Sequence, residues 1–396
     1  MAEPLRILTL NSISPVGLKR FPTGRYTVDG ALTDPDAIIV RSQDMHRMDI
    51  SRSVKAVGRA GAGTNNIPIS DLTARGVPVF YAPGANANAV KELVLAAMLI
   101  AARNLIPAIT FVRGLTGDDA TLHQRVEEGK KHFVGSELPG HTLGIIGLGK
   151  IGSLVADAAI KLSMNVMGYD PHITVDAAWS LPAQVSKAHS IDEVLKRSDY
   201  VTLHAPLLDV TKHMINAERL QGIKKGAILL NFARDELVDG IAVLRALEAK
   251  RLCYYMCDFP NQLLQGHPRV VALPHLGAST LEAEDNCAVM VVDQVRDFLE
   301  DGNIVNAVNF PDVSMSREAG YRVAIANANV PNMLGQISTA MARAGLNIHN
   351  MLNKSKGEMA YTLVDTDSAV PASLLSELAA IKGVLSVRYL PQGRGA

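Results

Sequence analysis

Thr142-Leu143-Gly144-Ile145-Ile146-Gly147-Leu148-Gly149-Lys150-Ile151-Gly152 is the stretch whose reading decides the fold of this chain. An apolar run ends in glycines spaced G-x-G-x-x-G, and Ser153 to Leu162 then reads as a helix. A further apolar run ends in Tyr169-Asp170. In such a strand–turn–helix, Gly147 permits the tight turn and Gly149 admits a pyrophosphate close to the backbone. Gly152 lets helix and strand pack closely, with the helix N-terminus facing the phosphates, and Lys150 and Ile151 within the motif are counted among the cofactor-binding residues. Asp170 is placed to accept both ribose hydroxyls and to repel a 2′-phosphate, so NAD is expected rather than NADP.

Outward from this motif the rhythm is regular. Strands are expected at Leu143–Ile146, Asn165–Tyr169, Tyr200–Leu203, Ala227–Phe232, Cys253–Cys257 and Val270–Leu273. Helices fill the gaps, one of them opened by the capping box Ser190-Ile191-Asp192-Glu193. Six such strands suit a doubly wound Rossmann-type domain, assigned to residues 91–280. Earlier, Arg6 to Leu10, Ala37 to Val40 and Ala56 to Arg59 read as strands of a second α/β unit. Lys91 to Arg103 is apolar almost all round, which predicts a helix buried between units. Asn309 to Ser316, with Pro311 and Ser314, reads as a hinge or linker. After it, residues 318–396 follow a βαββαβ plan, the ferredoxin-like pattern, with strands near 322–328, 348–353, 360–365 and 384–389.

A chain of 396 residues suggests two or three domains. Apolar residues make up 48% and charged residues 20%, as in ordinary globular proteins. Lys plus Arg equals Asp plus Glu, 39 each, which argues against nucleic acid or an anionic membrane as partner. Cys253 and Cys257 sit in an apolar run without a second ligand pair, so reduced thiols and no metal site are expected. Met1 to Arg6 lacks a signal-peptide pattern, and Leu93 to Ala102 is shorter than the about 20 residues a bilayer span needs. The expectation is a cytoplasmic enzyme.

Two more segments carry chemistry: Asn231-Phe232-Ala233-Arg234-Asp235-Glu236-Leu237-Val238-Asp239 and Pro274-His275-Leu276-Gly277-Ala278-Ser279-Thr280. Each directly follows an expected parallel strand, at the end where such sheets bind ligands. Oxidising a 2-hydroxy acid requires a cation for its carboxylate and a base of near-neutral pKa for its hydroxyl proton. Arg234 offers the bidentate clamp and His275 the imidazole.

With these segments the sequence resembles the D-2-hydroxyacid dehydrogenase family, and within it the branch that oxidises 3-phospho-D-glycerate. Tyr169-Asp170-Pro171, His204-Ala205-Pro206-Leu207, Val40-Arg41-Ser42 and Gly58-Arg59-Ala60-Gly61-Ala62-Gly63-Thr64-Asn65 extend the match over nearly the whole chain. The resemblance implies a split, flavodoxin-like substrate domain made of residues 1–90 and 281–310. It implies that His204, Ala205, Pro206, Thr211, Phe232, Ala233, Asp258 and Gly277 line the cofactor. Arg234 would orient the substrate carboxylate and carbonyl, and His275 would exchange the proton. Gly61, Ala62 and Gly63 would offer backbone N–H groups to the carboxylate, and Arg41 and Arg59 are candidates for the phosphate end, or else ordinary surface ion-pair residues. The family's third catalytic residue is a carboxylate that raises the pKa of the catalytic His. Here Gln262 stands in its place, and no acidic residue occurs between Asp258 and Glu282. Gln can orient an imidazole but not stabilise its charge, so ketone reduction is expected to weaken as pH rises through neutrality. Asp235 stands where the family commonly has Gly.

Residues 318–396 resemble an ACT domain through Asn329-Val330-Pro331-Asn332-Met333-Leu334-Gly335-Gln336-Ile337 and Gly345-Leu346-Asn347-Ile348. That likeness implies an amino-acid effector, L-serine, at Asn332, Gly335 and Asn347, or a dimerisation module without ligand. The partners expected are a phosphorylated 2-hydroxy acid and further copies of the chain, as homodimer or homotetramer. Competing readings are a reductase for hydroxypyruvate, glyoxylate or 2-oxoglutarate, and a non-catalytic NAD and amino-acid sensor.

Overall fold

The computed structural model describes residues 3–318 and 320–391. Residues 1–2 of the expected substrate domain, and 319 and 392–396 of the expected C-terminal unit, lie outside the described residues. The chain forms two compact units, residues 87–280 and residues 1–86 with 281–396.

In the second of these, five short strands form a parallel sheet: β1 (Leu5–Leu10), β2 (Tyr26–Asp29), β3 (Ala37–Val40), β4 (Ala56–Arg59) and β5 (Val79–Tyr81). Their order, β2-β1-β3-β4-β5, is the flavodoxin-like one. The strands at Tyr26 and Val79 escaped the sequence reading, being only four and three residues long. The helix Leu281–Asp301 completes this layer, burying Ala288, Val291, Val295 and Phe298 against Ile7, Ile39 and Phe80.

The unit 87–280 holds β6 (Thr142–Ile146), β7 (Asn165–Tyr169), β8 (Ser186–Lys187), β9 (Tyr200–Leu203), β10 (Ala227–Asn231), β11 (Leu252–Cys257) and β12 (Val270–Ala272). All pair in parallel, in the order β12-β11-β10-β9-β6-β7-β8. The sequence suggested six strands; the seventh, β8, is two exposed polar residues with no apolar run to announce it. Ser190 caps its helix as expected, its Oγ accepting from the Glu193 N–H at 3.1 Å. Glu193 reaches back to the N–H of His189, one residue before the cap. The apolar helix spans Ala87–Ala102 and buries Val90, Val94, Ala97 and Met98 along one stripe only. Leu99 remains 45% exposed, so full burial within this unit is not what the helix attains.

The remaining strands form an antiparallel sheet of order β14-β15-β13-β16: β13 (Tyr321–Ala328), β14 (Ile348–Lys356), β15 (Met359–Thr366) and β16 (Val384–Leu390). The helices Met333–Arg343 and Ala372–Ala380 bury Ile337, Met341, Leu374 and Leu378 with Val323, Ile325 and Val364 of the sheet. Alternate strand residues point the other way. Ala324, Ala326, Tyr361, Leu363 and Leu390 join the core of Phe298 and Phe310. The expected hinge is therefore anchored. Pro311 and Ser314 signalled a loop correctly, but Phe310 and Val313 beside them are fully buried. Asn309 donates to Thr73 and Val77 and accepts from the Val79 N–H.

Candidate active site

The segments that follow β6, β7, β9, β10, β11 and β12 leave the carboxyl edge of the seven-stranded parallel sheet. The strand order reverses between β6 and β9, the switch point at which such sheets bind ligands. The two loops touch there: a Cβ on Gly147, whose φ is +94°, would stand 2.6 Å from the His204 carbonyl oxygen. A Cβ on Gly152 would stand 2.1 Å from the Gly147 carbonyl oxygen, so only glycine permits this helix to start so close to the strand. The Cβ position of Gly149 meets nothing within 4 Å, leaving the turn open to a phosphate.

Asp170, at the end of β7, braces this turn: one carboxylate oxygen accepts from the Leu148 N–H at 2.9 Å, the other from the His172 N–H at 2.9 Å. Beside it a cavity of about 600 Å³ is lined by Leu148, Tyr169, Asp170, Pro171, Lys187 and His189. The open turn and the neighbouring cavity fit the pyrophosphate and adenosine of a dinucleotide. Lys187 and His189 belong to the β8 region and were missed with that strand. Lys150 is exposed and Ile151 half-buried at the start of the helix.

In the next loop, His204 Nε2 lies 3.0 Å from Thr202 Oγ1, and burial pushes the imidazole pKa down to about 4. It is a neutral ring in the fold. Ala205 and Pro206 follow, and Thr211 closes the loop by donating to the Pro206 carbonyl at 2.7 Å while accepting from the Leu208 N–H.

Arg234 follows β10 and is presented by the fully buried Asn231, which donates to the Arg234 carbonyl at 2.8 Å and accepts from the Ala233 N–H. Phe232 is buried in the core of this unit. Arg234 itself donates to the Ala233 carbonyl. Burial raises the carboxyl pKa of neighbouring Asp235, with the charge of Glu236 adding to the effect.

His275 follows β12 with a left-handed φ of +56°. Asp258, 1% exposed at the end of β11, holds the loop in that shape. Its carboxylate accepts from the N–H groups of Leu276 and Gly277, both at 2.7 Å, and its carbonyl accepts from the His275 N–H at 3.2 Å. Asp258 thus clamps the histidine loop, a task the sequence reading did not give it. Gln262 is exposed, and among the described residues no hydrogen bond joins it to His275. The ring set edge-on to His275 is Phe259, at 5.2 Å.

In the other unit, Arg41 and Arg59 emerge from the neighbouring ends of β3 and β4. Arg41 Nη2 pairs with Glu284 Oε1 at 2.6 Å, so it is an ion-pair residue as well as a phosphate candidate. Gly61 lies against the Arg59 guanidinium; a Cβ there would stand 1.8 Å from Nη1. The Gly61 N–H donates to the Arg59 carbonyl at 2.8 Å. Near the antiparallel sheet, Asn332 (φ +63°) and Gly335 line a cavity of about 190 Å³ with Asn327, Asn329, Asn353 and Ala360. Asn347 lies at the opposite end of the strands, bonded to Asp367 at 2.7 Å, so the chain alone does not bring the three effector candidates together.

A doubly wound sheet with a G-x-G-x-x-G turn at its switch point, and Arg and His loops on adjacent strand ends, defines a dinucleotide-dependent dehydrogenase. A family profile described as D-isomer specific 2-hydroxyacid dehydrogenase, NAD binding domain, matches residues 95–277. The D-3-phosphoglycerate dehydrogenase of Haemophilus influenzae is 33% identical over 96% of this chain and 94% of its own length. That of Methanocaldococcus jannaschii is 32% identical over 98% of this chain and 71% of its own. Among solved structures, the TT0316 protein of Thermus thermophilus superposes with a TM-score of 0.63 at 27% identity, over 77% of this chain and all of that one. The chain belongs to the D-isomer specific 2-hydroxyacid dehydrogenases, NAD-dependent oxidoreductases of small-molecule substrates. No single helix among the described residues is long and apolar enough to cross a membrane.

Proposed function

We propose that this chain oxidises 3-phospho-D-glycerate to 3-phosphohydroxypyruvate with NAD, the first step of L-serine biosynthesis. The observation that carries the reading is similarity to D-3-phosphoglycerate dehydrogenases along nearly the full chain. The strand-end loops supply the chemistry. Gly147, Gly149, Lys150, Ile151, Gly152 and Asp170 hold the dinucleotide's phosphates and ribose, and the loop of His204, Ala205, Pro206 and Thr211 lies beside them. Phe232, Ala233 and Gly277 border the nicotinamide end, which accepts the hydride from C2. Arg234 orients the substrate carboxylate and carbonyl by paired hydrogen bonds. His275 removes the hydroxyl proton during oxidation and returns it during reduction. Arg41 and Arg59 receive the phosphate, and the N–H groups of Gly61, Ala62 and Gly63 receive the carboxylate.

The domains proposed are residues 1–90 with 281–310 for substrate, 91–280 for NAD and 318–396 for regulation. The last would take L-serine in the uncharged, asparagine-lined cavity, with Asn347 contributed by a second copy. A homodimer or homotetramer is supported by Leu99, Leu105, Ile106, Ile109 and Val112, which are 40–54% exposed on two successive helices. The test is NADH consumption with 3-phosphohydroxypyruvate against hydroxypyruvate, with and without millimolar serine. Selective turnover of the phosphorylated acid is expected, with inhibition by serine. Preference for the unphosphorylated acid would replace the substrate, and indifference to serine would remove the effector.

A further inference from the structure

Arg41 is offered above as a ligand for a phosphoryl group, yet its guanidinium is already occupied. Glu284 Oε1 lies 2.6 Å from Arg41 Nη2, both side chains about one-third exposed. Glu284 stands in the first turn of the helix Leu281–Asp301, where the positive end of the helix dipole favours a carboxylate. Its position is therefore fixed by the helix as well as by the ion pair. One turn further, Cys287 is buried and feels the charges of Arg41, Arg59 and Glu284, so the three charged groups form one cluster. With Glu284 the cluster sums to one positive charge; without it, to two.

We propose that Glu284 is an internal counter-ion that competes with the substrate's phosphoryl group for Arg41, and thereby sets affinity for phosphorylated ligands. The proposal rests on the reading of Arg41 as a phosphate ligand. A phosphoryl group near neutral pH carries almost two charges and three acceptor oxygens, so it can displace a single carboxylate from a guanidinium. An alcohol at that end of the substrate cannot. The pair then weakens binding of phosphorylated substrate and product together, without touching the atoms that react.

The test compares KM for 3-phosphohydroxypyruvate and for hydroxypyruvate in the natural chain, in Glu284→Gln, in Arg41→Met and in the double variant. Glu284→Gln is expected to lower KM for the phosphorylated acid roughly three- to fivefold relative to hydroxypyruvate, the scale of a partly exposed ion pair. In the Arg41→Met background the same change is expected to have no such effect. A ratio unchanged or raised by Glu284→Gln overturns the proposal, as does an equal effect with and without Arg41. A merely structural Glu284 would move both substrates alike. A natural chain that does not prefer the phosphorylated acid overturns the substrate assignment itself, and that result is read before any variant is made. Inhibition by inorganic phosphate supplies a second readout, expected to strengthen in Glu284→Gln only when Arg41 is present.

Discussion

At the residue scale the departure that matters is Gln262. The sequence shows that no carboxylate occupies the slot, and the structure adds that Gln262 is exposed, with no hydrogen bond to His275 among the described residues. Restoring the charge tests whether the slot still counts. Gln262→Glu is expected to sustain ketone reduction to higher pH, because a carboxylate beside the imidazolium favours the protonated donor. The pH–rate profile measures it, and an unshifted profile takes position 262 out of the mechanism. The chemistry-bearing residues were legible because their types are dictated by the reaction: glycines in a turn, Arg and His at strand ends. Phe259, Asn231 and the Glu284 contact were not, since an aromatic or an amide in an apolar run carries no spacing signal. Only the fold brings Glu284 to Arg41, across 243 positions.

Among elements, the loop after β12 depends on a residue from the neighbouring strand. Asp258 accepts from two consecutive backbone N–H groups and so keeps His275 in a left-handed conformation that a non-glycine residue seldom adopts. Asp258→Asn exchanges one carboxylate oxygen for an amide that must face an N–H. The expected loss is about 1.5–3 kcal/mol, as for hydrogen bonds to charged groups, and kcat should fall by at least tenfold. NADH binding measured by fluorescence should fall less, if the clamp serves the histidine rather than the cofactor. Equal losses in both would return Asp258 to the cofactor's binding set. Periodicity revealed the long strands, while β2, β5 and β8 are too short or too polar for any periodicity to show.

On the scale of the whole molecule, the antiparallel sheet is fixed to the end of the helix Leu281–Asp301. Arg388 donates to the Phe298 and Leu299 carbonyls, Arg322 to that of Asp301, and Tyr361 to that of Gly302. Arg322 is fully buried and forms a two-pronged pair with Asp365 at 2.6 and 2.9 Å. Removing one partner strands a buried charge, so Asp365→Asn is expected to cost on the order of 3–5 kcal/mol in thermal unfolding. Replacing both by apolar residues of like volume should recover most of that. A small effect of the single variant would mean the pair is less enclosed than its geometry indicates. The βαββαβ order was readable from strand and helix spacing. Its attachment was not, because a strand's second apolar face looks the same whether it meets helices or another domain.

That attachment also orders the birth of the protein. The core holding Ile7 and Phe80 is completed only by Val291, Phe298, Ala324 and Leu390, whereas residues 87–280 carry their own sheet and helices. During synthesis the middle of the chain can fold as soon as it leaves the ribosome, while its first 86 residues wait, unfinished, for residues 281–396. A stalled or shortened translation product is thus expected to contain a competent dinucleotide fold tethered to a five-stranded sheet with one apolar face uncovered, the kind of species chaperones engage.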